Sequence, residues 1–294
     1  MPRSTKPFLH LLEYALLRGI AAILGLLPLA LVYFLARGLS LFGYHLLRLR
    51  RQTAITNLFL ALGKEQPPRA LEKICRESYI QIGMTFIELL IFSKLTARIS
   101  RMVELPDIEP VRRYTGEGRG VVMVTGHFGS WEMAGAALAG AGIPFTVIAA
   151  HQSNRYVDAM INRGRIAAGM QVVTTTDASV KQMIRALKDG KVIGLVSDQD
   201  AGESGAFVNF FGRPASTPPG AAQLALKYKT PLFVIMLVRT KPGRYCSITR
   251  EVEIKADDTV ESLTQRYTTI MEEIIRQHPE QYLWMHRRWK SRPA

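Results

Sequence analysis

Cysteine is nearly missing from this chain: Cys75 and Cys246 are the two in 294 residues. That excludes a disulfide framework, and no Cys or His spacing fits a zinc site. The six histidines include no His-Glu-x-x-His pair, so no catalytic metal is expected. No Gly-x-Ser-x-Gly elbow occurs, and no motif marks either cysteine as a nucleophile. Acids are scarce too, 24 against 38 lysines and arginines, for a net charge of +14. Such a balance expects an anionic partner: nucleic acid, an anionic membrane, an acidic protein or a phosphorylated substrate. Nucleic acid fits least, because no RNP, helix-turn-helix or zinc-finger pattern is present. There is no internal repeat and no low-complexity segment. With 48% hydrophobic and 21% charged residues, disorder is not expected, and the length suits one large domain or two small ones.

What is present starts with a long apolar run. Arg18 and Arg37 bracket "GIAAILGLLPLALVYFLA", 18 residues without a charge. That is at the short end of the roughly 17–25 residues that span a bilayer. Gly25 and Pro28 interrupt it, so a kinked span or a shallow hairpin is as reasonable as one straight helix. Arg48, Arg50 and Arg51 follow and favour a cytoplasmic, anionic leaflet. The run is too long for a signal peptide and has no small-residue cleavage site. The bland alternative is a pair of buried core helices.

Beyond residue 50 the pattern changes twice. Residues 52–100 read as helical, with a stripe of Leu71, Ile74, Tyr79, Ile82, Phe86 and Leu89, and Pro67–Pro68 suits a helix start. From about 118, strand-like runs at 120–125, 144–149, 171–175, 192–197 and 231–238 alternate with helix-like stretches at 131–141, 154–168, 178–189 and 217–229. Asp177 is expected to cap the third of these helices, Gly190 to end it, and a hydroxyl before Pro218–Pro219 to cap the fourth. Residues 258–277 read as a late helix. The expected fold is α/β, a mixed, largely parallel sheet flanked by helices, with an N-terminal apolar helical membrane anchor. The boundary falls between residues 1–50, the anchor, and 51–294, the α/β domain.

The chemistry sits where strands end, since ligands bind beyond the carboxyl ends of a parallel sheet. In "VVMVTGHFGSWEMAG", His127 follows an apolar run and Glu132 lies five residues on. In one continuous helix these side chains would point about 140° apart. If residues 126–130 form a loop before a helix, Glu132 in the first turn can reach and orient His127 as a general base. No protein nucleophile is evident, so the substrate would bring one, such as a hydroxyl. The alternative is a helix-capping histidine beside a solvated glutamate. Asp198 and Asp200 end the next strand and can orient a base or an arginine, or simply make a turn. Phe207, Phe210 and Phe211 can wall an apolar site or merely pack. In "NRYVDAMINRGRIAAG", Asp158, Asn162 and Arg165 fall near one helix face, and Arg163 and Arg165 suit phosphate. A solvated charged stripe reads equally well.

At these residues the chain resembles the bacterial lipid A biosynthesis acyltransferases, of the late, lauroyl and myristoyl type, which are related to the glycerolipid acyltransferases. "GHFGSWE" is similar to their His-x4-Asp/Glu motif. "SNRYVDAMINRGR" resembles an Asn…Asp…Arg segment, and "SDQDAGESGAFVNFFGRPASTPPGAAQLA" an Asp-Gln/His-Asp segment followed by Phe-Gly-x-Pro-Ala-x-Thr. "PEQYLWMHRRWKSRP" is close to the C-terminal signature. The resemblance covers most of the chain, four motifs in order. It implies a glycerolipid-acyltransferase-like fold and transfer of a fatty acyl group from acyl carrier protein to a hydroxyl of an acylated, phosphorylated glucosamine disaccharide. His127 would take the hydroxyl proton, Glu132 would orient it, and N–H groups near Gly129 or Arg165 would hold the oxyanion. Asn154, Asp158, Arg163, Asp198, Arg213, Arg287 and Arg288 would contact substrate. The implied partners are acyl carrier protein, an anionic glycolipid acceptor and the membrane, with no nucleic acid, no metal and no cofactor beyond the thioester. The implied place is the cytoplasmic face of a bacterial inner membrane. Acylation of another glycolipid, such as a phosphatidylinositol mannoside, from acyl-CoA is the alternative reaction. A non-catalytic membrane scaffold is the alternative of another class.

Overall fold

The computed structural model describes residues 7–175 and 179–293. The apolar run is two helices, α1 (Pro7–Leu26) and α2 (Leu29–Phe42), parted at Pro28. Proline has no N–H for a helix interior but suits a helix start, so the break falls where the sequence put it. A π-helical turn, Gly43–Leu47, extends α2. The 20 residues of α1, and the 19 of Leu29–Leu47, are each long and apolar enough to cross a membrane. The buried-core alternative fails for α1, where Leu24 alone is buried and Leu16, Ile23 and Leu26 are 63%, 62% and 87% exposed. Both helices nevertheless pack on the rest of the chain, α1 against residues 68–90 and 155–167 and α2 against 68–90.

The helical stretch that follows divides into α3 (Arg51–Leu62), α4 (Pro68–Leu90), α5 (Phe92–Thr96) and α6 (Ile99–Met102). Pro67 caps α4 in extended backbone and Pro68 opens it, as the Pro-Pro step predicts. The buried stripe of α4 includes Leu71, Tyr79 and Ile82, but its end departs from the expected one. Phe86 is 54% exposed and Glu88 is buried.

Next come β1 (Val103–Glu104), α7 (Glu109–Gly116), β2 (Val121–Thr125), α8 (Trp131–Gly140), β3 (Phe145–Ala149), α9 (Arg155–Ala167), β4 (Gln171–Thr174), α10 (Ser179–Lys188) and β5 (Val192–Val196). The remainder is β6 (Ala206–Phe210), β7 (Arg213–Thr217), α11 (Gly220–Tyr228), β8 (Leu232–Lys241), β9 (Arg244–Val252) and α12 (Val260–Gln277). Seven strands form one sheet in the order β1-β9-β8-β2-β5-β3-β4, and every neighbouring pair is parallel except β8 with β9. Central β2 is apolar from Val121 to Val124 because both faces are covered. Val122 and Val124 pack with α11 and α12, and Val121 and Met123 pack with α8.

Some expectations change. Asp177 lies outside the described residues. Thr217 does not cap α11, which starts at Gly220; its hydroxyl accepts from Arg288. The segment with Phe207, Phe210 and Phe211 is a two-stranded hairpin of β6 and β7, turned by Phe211 and Gly212 at φ 53° and 73°. Positive φ at both central residues matches the right-handed twist of a hairpin. Phe210 and Phe211 pack on Tyr282, Trp284 and Trp289. The C-terminal segment is no solvated tail. Leu283 N–H donates to the His127 carbonyl at 3.0 Å, and Tyr282 and Trp284 are buried.

Candidate active site

The carboxyl ends of β2 and β5 lie side by side, with Thr125 opposite Val196. Each ends in a polar residue of interest, His127 beyond β2 and Asp198 beyond β5. The Asp198 carboxylate takes two hydrogen bonds from His127, one from the main-chain N–H and one from the ring at Nδ1, both 2.8 Å. This fixes Nδ1 as the protonated nitrogen and leaves the Nε2 lone pair free to accept. The Gln199 amide faces Nε2 at 3.3 Å. Trp131 sets its ring against the imidazole, centroids 5.0 Å apart.

Burial alone would lower the pKa of His127. The Asp198 charge and hydrogen bond outweigh it, with a smaller push from Glu132, and the net shift is upward from the ordinary imidazole value. Asp198 is 4% exposed, and burial would raise its pKa. The His127 charge, two hydrogen bonds from that residue and the Arg288 charge reverse this and hold it below the usual carboxylate range.

Glu132 does not hold His127. As second residue of α8 it turns toward α9, where Arg165 grips its carboxylate with Nε at 2.9 Å and Nη2 at 2.6 Å. Arg165 Nη1 also donates to Asn162 at 2.9 Å. The acid that orients the histidine therefore comes from the next strand over, and the motif's own acid orients an arginine.

His127, Glu132 and Arg165 border a cavity of 710 Å³. Phe86, Leu89, Val147, Ile148, Met160 and Ile161 line its apolar walls, and Leu17 of α1 closes one side. At its floor, a Cβ on Gly194 would strike the Phe145 ring, and one on Gly135 would come within 2.7 Å of Met170 Sδ. These glycines let β5 and α8 close around Phe145.

Other expected contacts fall elsewhere. Arg163 is exposed and does not line the cavity, because two helical positions separate it from Arg165 by about 200°. Asp158 closes the turn before α9, accepting from the Gln152 N–H at 3.0 Å and facing His151. Asn154 caps α9 through Oδ1 and donates from Nδ2 to the His10 carbonyl at 2.8 Å and to Glu13 at 2.9 Å, clasping α1. Arg213 donates to the Leu60 carbonyl. Arg288 is 2% exposed, braces Ser216 and Thr217, and does not line the cavity. Arg287 is exposed beside Lys290 in a separate shallow pocket against α3. The Gly129 N–H, an expected oxyanion donor, is already hydrogen-bonded within the chain. It is taken by the Gln281 carbonyl at 2.9 Å, and those of His127 and Phe128 by Asp198 and the Gly126 carbonyl. Asp200 holds the C-terminal segment, accepting from Ser291, while its N–H donates to His286 Nε2 at 3.1 Å. Gln199, missed as a site residue, stands between the two acids of the "SDQD" motif.

A histidine that lines an apolar cavity and is held by a buried aspartate, with an arginine beside it, suits attack by a hydroxyl on the carbonyl of a fatty acyl group. The sequence profile of bacterial lipid A biosynthesis acyltransferases matches residues 1–291. The chain belongs to this family. It is 28% identical over 274 residues to the lipid A biosynthesis lauroyltransferase of Escherichia coli (strain K12), covering 91% of this chain and 88% of that one. It is 26% identical over 273 residues, with the same coverage, to the lipid A biosynthesis palmitoleoyltransferase of that organism. A phosphatidylinositol mannoside acyltransferase of Mycolicibacterium smegmatis is 25% identical over 195 residues, 65% of this chain and 64% of that protein. The relatives of this chain thus differ in the acyl chain named for them and in the glycolipid.

Proposed function

We propose that the chain transfers a fatty acyl group from acyl carrier protein to a hydroxyl of a lipid A precursor, with His127 as general base. His127, lining the apolar cavity and held by Asp198, carries this reading. The acyl chain lies in the cavity with its thioester carbonyl near His127. The acceptor hydroxyl replaces the Gln199 amide at Nε2 and gives its proton to the ring as the oxygen attacks the carbonyl carbon. Asp198 steadies the imidazolium that forms. The tetrahedral intermediate then collapses, the C–S bond breaks, and the imidazolium returns the proton to the departing thiolate. Glu132 holds Arg165, whose two N–H groups outside the Glu132 and Asn162 contacts face the oxyanion or an acceptor phosphate.

The outward apolar faces of α1 and α2 sit in the cytoplasmic leaflet of the inner membrane, where the acceptor resides. Leu17 of α1 lines the cavity, so the same helix faces lipid on one side and the acyl chain on the other. The net charge of +14 suits both an acidic carrier and a phosphorylated acceptor.

Arg287 and Lys290, exposed at the C-terminal edge, are the carrier-docking candidates. Exposed charge contacts weaken as the Debye length falls from about 10 Å at 0.1 M salt to about 3 Å at 1 M, whereas burial of an acyl chain does not weaken this way. Raising salt is expected to raise the KM for a carrier-bound donor more than for a small-thioester donor of equal chain length. Equal salt responses would show that the positive charge serves lipid alone.

A further inference from the structure

Glu88 of α4 and Arg239 of β8 form an ion pair whose side chains are each 1% exposed. Neither lines the cavity. Every N–H of the Arg239 guanidinium is used. Nε and one Nη2 proton go to Glu88 at 3.2 and 2.8 Å, the other Nη2 proton to Thr85 Oγ1 at 2.8 Å, and Nη1 to the carbonyl and side chain of Gln81. Glu88 accepts further from Ser130 Oγ at 2.7 Å, from Tyr33 of α2 at 3.1 Å and from Tyr245 of β9. Four regions of the chain besides α4 thus meet on one carboxylate.

Two of these contacts reach the loop that carries His127. Thr85, held by Arg239, donates to the Gly129 carbonyl at 2.7 Å. Arg239 also exchanges both main-chain hydrogen bonds with the Gln281 side chain, and the Gln281 carbonyl takes the Gly129 N–H. Gly129 therefore has both backbone groups pinned, in a backbone at φ 52° where a side chain would strike the Leu237 carbonyl. Ser130 stands at the N-cap of α8 but caps no amide, and its hydroxyl goes to Glu88 instead. A serine at that position normally satisfies a first-turn N–H.

A buried ion pair gives little stability over apolar residues of the same volume. What it gives here is direction, because the loop between β2 and α8 is fixed by oriented hydrogen bonds on both sides of Gly129. We propose that Glu88 and Arg239 are positioning residues for His127, and that through Tyr33 they tie the placement of the loop to the apolar helix α2. The inference rests on acyl transfer at His127 as read above. It adds that the apolar helix α2, through Tyr33, bears on the rate at the site.

The test uses full-length protein in lipid vesicles and removes single hydroxyls without changing shape. Thr85→Val cuts the link from Arg239 to the Gly129 carbonyl, and Tyr33→Phe cuts the link to α2. Misplacing a catalytic group by about 1 Å can cost about 10²-fold. Thr85→Val is expected to lower kcat by about 10-fold to 10²-fold on that basis, with KM for both substrates unchanged. Thr85→Ser is expected to recover most of the rate. Both Thr85→Val and Tyr33→Phe are expected to speed deuterium exchange of the amides in residues 126–133, and Tyr33→Phe to lower kcat less than Thr85→Val does. A Thr85→Val protein that melts earlier but turns over at the wild-type kcat would overturn the positioning role. Wild-type exchange and kcat in Tyr33→Phe would overturn the link to α2. If the wild-type chain transfers no acyl group, the functional reading fails, and the exchange data still decide the inference: an unchanged rate at 126–133 in Thr85→Val overturns it.

Discussion

His127→Ala is expected to lower acyl transfer by about 10²–10⁴-fold, the usual cost of losing a general base. The protein should keep its melting behaviour. The His127 side chain is 22% exposed and makes one strong ring hydrogen bond, so its removal leaves a small, open defect. The main-chain N–H still donates to Asp198, and the carbonyl still accepts from Leu283. The measurement is initial rate with saturating donor, beside a melting curve. A His127→Ala protein with near wild-type kcat would remove the histidine from the reaction.

The second large effect separates two carboxylates that are easily confused. A general base must be neutral to accept a proton, so the rate falls as pH drops through the pKa of His127. Asp198 raises that pKa above the imidazole value, and burial opposes it. Asp198→Asn removes the raising charge and leaves burial in place. The acid limb of kcat/KM should therefore move to lower pH. The plateau should fall by about 10²–10⁴-fold, because the tautomer is no longer fixed and the imidazolium is no longer steadied. Glu132→Gln should behave differently. Its charge is a minor influence on His127, so the acid limb should move little. Its loss falls on Arg165, which gives up two charge-assisted hydrogen bonds, and the rate should drop with the pH profile nearly in place. A large acid-limb shift in Glu132→Gln, with none in Asp198→Asn, would return the orienting role to Glu132.

That contrast shows what the sequence carries and what it hides. The strand ends were legible because β2 and β5 are covered on both faces and read as unbroken apolar runs. His127 and Asp198 could each be marked as a polar residue just past such a run. Their pairing was not legible, because they are neighbours across the sheet and 71 positions apart in the chain. Glu132 drew attention by closeness in sequence, but the turn into α8 sends it toward α9. The C-terminal arginines show the same limit, since nothing local distinguishes exposed Arg287 from Arg288 buried against β7. Strand β9 has no clear strand signal in the sequence, because only one face of it is consistently buried and its residues are largely polar. Glu88 lay inside a helix read for its apolar stripe. A lone acid there has meaning only when Arg239, far along the chain, is placed opposite it.

The most direct measurement is mass spectrometry of lipid A from a strain that lacks one late acyltransferase and carries either this chain or its His127→Ala variant, at matched amounts in membranes. Transfer by His127 predicts lipid A heavier by one fatty acyl group with the wild-type chain and no such species with the variant. The same added acyl group in both strains, or in neither, would contradict it.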